Sequence, residues 1–89
     1  MVRQHQLVLP DGRRIRLDLA VPSVRWAVEI DGFSDHFGVH GGTKDRRRDR
    51  ACHALGWQIE RVTSIDLADV EGTCDELAGL FERRRLEVA

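Results

Sequence analysis

The run Arg14-Ile15-Arg16-Leu17-Asp18-Leu19-Ala20-Val21, broken by Pro22-Ser23 and resumed as Trp26-Ala27-Val28-Glu29-Ile30-Asp31-Gly32, decides the fold. Its first half alternates strictly, which predicts a strand with Ile15, Leu17, Leu19 and Val21 on one face and Arg14, Arg16 and Asp18 on the other. The second half predicts another strand, with Trp26, Val28 and Ile30 on one face and Glu29 opposite, ended by Asp31-Gly32. Upstream, Gln4-His5-Gln6-Leu7-Val8-Leu9 also reads as a strand, and Pro10-Asp11-Gly12-Arg13 supplies turn chemistry. The three together predict an antiparallel meander.

Downstream the period changes. Residues 31–43 form a Gly-rich stretch with two His and two Phe, long for a loop in a chain of 89 residues and so a candidate functional loop. Thr43 can cap a helix over about residues 44–55, with Ala51, Cys52, Leu55 and the stem of Arg48 turned to the sheet and Gly56 as its left-handed stop. The alternating stretch Trp57 to Thr63 predicts a strand. It arrives after a helical crossover, which implies parallel pairing. A last helix is expected over about Leu67 to Arg85, with Val70, Cys74, Leu77, Leu80 and Phe81 at helical spacing. The order βββαβα gives an α/β fold, a mixed sheet flanked by helices, in one domain over residues 1–89.

Composition excludes several classes. Hydrophobic residues at 42% and charged residues at 33% match a folded domain rather than a disordered or repetitive chain. No apolar run reaches the roughly 18 residues of a membrane helix, and the opening Met1 to His5 lacks a signal peptide's apolar region, so a cytoplasmic protein without a membrane partner is expected. Cys52 and Cys74 lack ligand spacing and read as reduced, partly buried small hydrophobes. A zinc site from His36, His40, Cys52 and Cys74 fits poorly for the same reason. The net charge of −1 hides an uneven distribution: residues 44–50 hold five cations and two anions, whereas residues 63–89 hold three cations against seven anions.

Asp18 and Glu29 carry the chemistry. Asp18 sits mid-strand between apolar neighbours and Glu29 in the otherwise apolar run Trp26 to Ile30, where an unpaired buried carboxylate costs several kcal/mol. One compensation is a salt bridge, Asp18 with Arg16 and Glu29 with Arg14 or Arg16. The other is a divalent cation, because carboxylate oxygens converging from adjacent strands are the hard donors that Mg²⁺ accepts.

Taken in order, Arg16-Leu17-Asp18-Leu19-Ala20, Val28-Glu29-Ile30-Asp31-Gly32, His36, Asp45-Arg46-Arg47-Arg48-Asp49-Arg50 and Leu55-Gly56-Trp57 through Arg61-Val62-Thr63 resemble the very-short-patch-repair endonuclease-like group of the PD-(D/E)XK nuclease superfamily. The resemblance covers about residues 14–66 and implies a restriction-endonuclease-like sheet and a metal-dependent DNA endonuclease using Mg²⁺ or Mn²⁺. Asp18 and Glu29 are then metal ligands, with the backbone carbonyl of Ile30 as a further one. Asp31 stands where the wider superfamily has a Lys, so it becomes an auxiliary ligand or leaves that role to Lys44 or a helix Arg. His36 matches the His near the attacking water and suits a general base, although it also reads as a solvated loop residue.

Lys44, Arg46, Arg47, Arg48 and Arg50 become the DNA-binding face, through bidentate contacts to phosphates. The plain alternative is a solvated helix face with local Asp45 and Asp49 ion pairs. Trp26 and Trp57 are expected as core anchors, and Arg83-Arg84-Arg85 as a complement to the last helix's dipole. The family fold begins with a helix before its first strand and this chain begins with the strand. That leaves a C-terminal domain of a longer protein, or a homodimer covering the open sheet face. The competing function is a catalytically inactive nuclease-fold module that binds nucleic acid or regulates a partner.

Overall fold

Turn chemistry sets the first joint of the sheet. A computed structural model describes residues 1–30 and 39–89, with residues 39–45 described by their backbone alone. Strands β1 (Val2–Val8) and β2 (Arg14–Val21) pair antiparallel. Between them the Leu9 amide donates to the Arg13 carbonyl at 2.8 Å, and Gly12 takes a φ of 88°, which a side chain would resist. A 3-10 turn (Pro22–Val24) leads to β3 (Trp26–Ile30), antiparallel to β2. Helix α1 (Val39–Ala54) then crosses over, and β4 (Gln58–Val62) lies parallel to β3 from Trp26↔Gln58 to Ile30↔Val62. With α2 (Ser64–Leu67) and α3 (Val70–Glu87) the fold is mixed α/β, around a four-stranded mixed sheet in the order β1-β2-β3-β4. The expected meander and parallel crossover are both present.

Two hydrophobic clusters hold these layers. On the α1 side, Leu9, Leu17, Ala20, Ala27, Cys52 and Trp57 are buried, with Ile15, Leu55 and Ile59 around them. On the α3 side, Trp26, Val28 and Val62 are buried against Leu19, Val21, Leu77 and Phe81. Trp26 meets Phe81 edge-on at 5.3 Å between ring centroids, and Trp57 lies 5.5 Å from the His5 ring, so both tryptophans are core anchors.

The alternation expected along β2 does not hold through the strand. Ile15 and Leu17 belong to the α1-side cluster, whereas Leu19 and Val21 belong to the α3-side cluster. The inversion falls at Asp18. Opposite it, the β1–β2 pairing runs through Val2↔Ala20 and Arg3↔Leu19 and resumes at His5↔Leu17, while Gln4 between them has a left-handed φ of 49°. The register is the same on either side of this position, so no residue is inserted in either strand and the inversion is local to the Gln4–Asp18 position.

The helices differ from expectation at their ends. Helix α1 starts at Val39, so Thr43 lies within it rather than capping it at residue 44. Glycines at positions 41 and 42 lower helix propensity by about 1 kcal/mol each, yet unlike proline they do not bar it. Its end is as expected: Gly56 has a φ of 84°, and the Trp57 and Gly56 amides donate back to the Cys52 and His53 carbonyls at 3.0 and 2.9 Å. The single last helix is two. Asp66 closes a capping box with Thr63 at the start of α2, and the Asp69 carboxylate accepts the Gly72 amide at 3.0 Å to start α3 afresh. A side chain on Gly72 would collide with that cap. Among the described residues no helix is long and apolar enough to cross a membrane.

Candidate functional site

The inversion of faces at Asp18 and the end of the β2–β3 ladder coincide. Pairing between these strands covers Val21↔Trp26, Ala20↔Ala27 and Leu19↔Val28, and the next pair in register would be Asp18 and Glu29. There the side chains take over from the backbone. The Asp18 amide donates to Glu29 Oε2 at 3.2 Å, and the Ile30 amide donates to Asp18 Oδ2 at 2.8 Å. Each carboxylate is therefore fixed by an amide of the neighbouring strand, in charge-assisted bonds stronger than the ladder bonds they replace.

The two acids differ in surroundings. Asp18 is half-buried and lines an open hollow of about 770 Å³ with Arg3, Gln4, Leu19 and Ile30. Glu29 is buried, with 5% of its surface exposed, and its Oε1 faces the Arg48 guanidinium of α1 as an ion pair rather than a directed hydrogen bond. Arg48 Nη2 also donates to the Arg16 carbonyl at 2.9 Å, which ties α1 to β2. Burial pushes the Glu29 carboxyl above its ordinary value, Arg48 pulls it back, and the neighbouring Asp18 charge adds to the rise.

These contacts revise the salt-bridge expectation. Glu29 pairs with Arg48, not with Arg14 or Arg16, and Arg16 instead reaches the Gln4 side chain at 3.5 Å. Asp18 is anchored by the Ile30 amide rather than by Arg16. The structure thus brings Asp18, Glu29 and the Ile30 backbone together and adds Arg48, turned inward from its helix. Arg46, Arg47 and Arg50 are exposed on the outer side of α1. Asp49 on the same helix holds Arg61 of β4 at 2.6 Å. Asp31, His36, Phe33 and Phe37 lie outside the described residues, as do the side chains of His40 and Lys44.

Two further residues shape this region without having been singled out in the sequence. Counting back from the Pro10–Arg13 turn places Gln4 opposite Asp18, so its position was legible, although its positive φ was not. Arg3 beside it lines the same hollow. Arg84 does more than complement a helix dipole: it donates to the Val24 carbonyl at 2.9 Å and the Gly56 carbonyl at 2.6 Å, binding α3 to the starts of β3 and β4. Of the two free cysteines, Cys52 is buried as expected and Cys74 is exposed.

Among the described residues no group of three His, Cys, Asp or Glu is placed to hold a metal ion. The oxygens of Asp18 and Glu29 remain the hard-donor pair of this region, and the positive charge that meets Glu29 Oε1 is the Arg48 guanidinium. Compared with protein-family models, with curated proteins and with solved structures, the chain finds no match in any of the three.

Proposed function

We propose that this chain is a metal-dependent DNA endonuclease domain of the very-short-patch-repair-like kind within the PD-(D/E)XK superfamily, hydrolysing phosphodiester bonds with Mg²⁺ or Mn²⁺. The observation that carries the reading is the juxtaposition of Asp18 and Glu29 where the β2–β3 ladder ends, each locked by the other strand's amide, with Asp18 lining an open hollow and Glu29 buried behind it. The strand order β1-β2-β3-β4 with one parallel joint after α1 suits a restriction-endonuclease-like core. Asp18, Glu29 and the Ile30 carbonyl would hold the cation, which when bound polarises a phosphoryl oxygen and acidifies a water.

The remaining work belongs to the chain itself. Asp18 and Glu29 are preorganised by hydrogen bonds to strand amides, which hold one oxygen of each in place before substrate arrives. Arg46, Arg47 and Arg50, with Lys44, grip DNA phosphates along α1. Asp31 supplies a further ligand or orients the water, and His36 accepts its proton.

Plasmid and single-stranded DNA incubated with Mg²⁺, Mn²⁺ or EDTA test this directly. Metal-dependent nicking should fall by about 10² or more in an Asp18→Ala variant, the scale of removing one preorganised electrostatic element. One observation favours a second reading. Because Arg48 already neutralises Glu29, the domain also suits a non-catalytic nucleic-acid-binding module, and DNA binding without cleavage by either protein would decide for it.

A further inference from the structure

Arg48 is held at two points. Its guanidinium pairs with Glu29 Oε1 and donates to the Arg16 carbonyl, and its side chain is only 20% exposed. Glu29 Oε2 is already engaged by the Asp18 amide, so Oε1 is the oxygen that Arg48 covers. The sequence turned the stem of Arg48 to the sheet and gave its guanidinium a phosphate contact, alongside Arg46, Arg47 and Arg50. Its position gives it a different task.

Resting on the cation site of the proposed function, we infer that Arg48 is the resident counter-ion of the Asp18–Glu29 pair, a positioning residue that competes with the divalent cation and so sets its affinity. Two ionised carboxylates carry two negative charges, and the guanidinium cancels one. A dication meeting the pair therefore finds half the charge it would meet without Arg48, and must break an ion pair to reach Oε1. Apparent affinity falls in proportion to the fraction of molecules in which that oxygen is free.

Titration with Mn²⁺ alone, by calorimetry at pH 8, tests the inference without any reading of cleavage. Wild type should bind one Mn²⁺ that Asp18→Asn loses, Arg48→Met should bind it roughly tenfold or more tightly, and Arg48→Lys should fall between, its single ammonium being unable to hold both partners. Thermal unfolding with and without Mn²⁺ reports on folding in the same samples, and the metal-induced rise in Tm should be larger for Arg48→Met than for wild type. If wild type binds Mn²⁺ through Asp18 while both Arg48 variants bind equally or more weakly, the counter-ion role is overturned and the cation site stands. If no protein binds Mn²⁺, the cation site falls and the inference with it. Binding by the Arg48 variants alone supports the inference in its strongest form.

Discussion

Glu29 is the residue whose ionisation the fold governs most directly. Burial raises its pKa above the ordinary 4.5, against the pull of Arg48. Between that value and the higher folded one, the native state holds more protons than the unfolded chain, so unfolding free energy falls as pH rises through the window. Below 4.5 both states are protonated, and above the folded pKa both are ionised, so the contribution is flat on either side. Glu29→Gln removes the titration and keeps the amide-accepting oxygen. The stability of wild type relative to this variant should therefore decline from about pH 4.5 upward and then level, as read by urea unfolding of both proteins from pH 4 to 8. Parallel curves would mean that Glu29 titrates alike folded and unfolded.

Helix α1 is the element in which inner and outer roles separate. Arg48 and Asp49 turn to the sheet, where they hold Glu29 and Arg61, while Arg46, Arg47 and Arg50 stay exposed. Replacing both Arg46 and Arg47 by Ala should weaken duplex DNA binding and flatten its log–log salt dependence by about 0.9 for each phosphate no longer neutralised. Fluorescence anisotropy at several salt concentrations measures both, and an unchanged slope removes DNA from this helix. Much of this element was legible in the sequence, since Cys52, Leu55 and Gly56 fixed its inner face and its end. Its start was not, because the Gly-rich stretch before residue 44 favours a loop by local propensity alone. The same limit applied to β2. Leu17-Asp18-Leu19-Ala20-Val21 fits either face assignment, since Leu19 and Ala20 are both apolar, and only the pairing with β3 chooses between them. The carboxylate pair was readable because charge in an apolar strand demands a partner. That partner, Arg48, comes from an element whose docking no local pattern reports.

On the scale of the whole molecule, the two faces of the sheet are unequally covered. The cluster on the α1 side buries six residues, whereas α3 has no fully buried residue and leaves an apolar hollow of about 520 Å³ lined by Met1, Leu19, Val21, Trp26, Leu77 and Phe81, among others. Attachment of α3 thus depends on the Phe81–Trp26 contact and on the Arg84 bonds to Val24 and Gly56 carbonyls. Arg84→Met keeps the stem and removes the donors. It should cost about 1–3 kcal/mol, the penalty for leaving the part-buried Val24 carbonyl unmet, and lower Tm by roughly 4–8 °C per kcal/mol in a domain of this size. An unchanged urea midpoint would assign the docking of α3 to Leu77 and Phe81 alone. In the sequence, Arg84 was one cation among three consecutive arginines, and nothing local marks which of them reaches back some sixty residues.

The left-handed Gln4 also bears on how copies of this chain behave toward one another. Strand β1 is an outer strand of the sheet, and an uninterrupted row of free amides and carbonyls there would offer a template for another molecule's strand. The kink at Gln4 interrupts that row near its middle, and the polar run Arg3-Gln4-His5-Gln6 leaves little apolar surface to reward stacking. The feature that opens space beside Asp18 thereby also guards the domain against edge-to-edge aggregation.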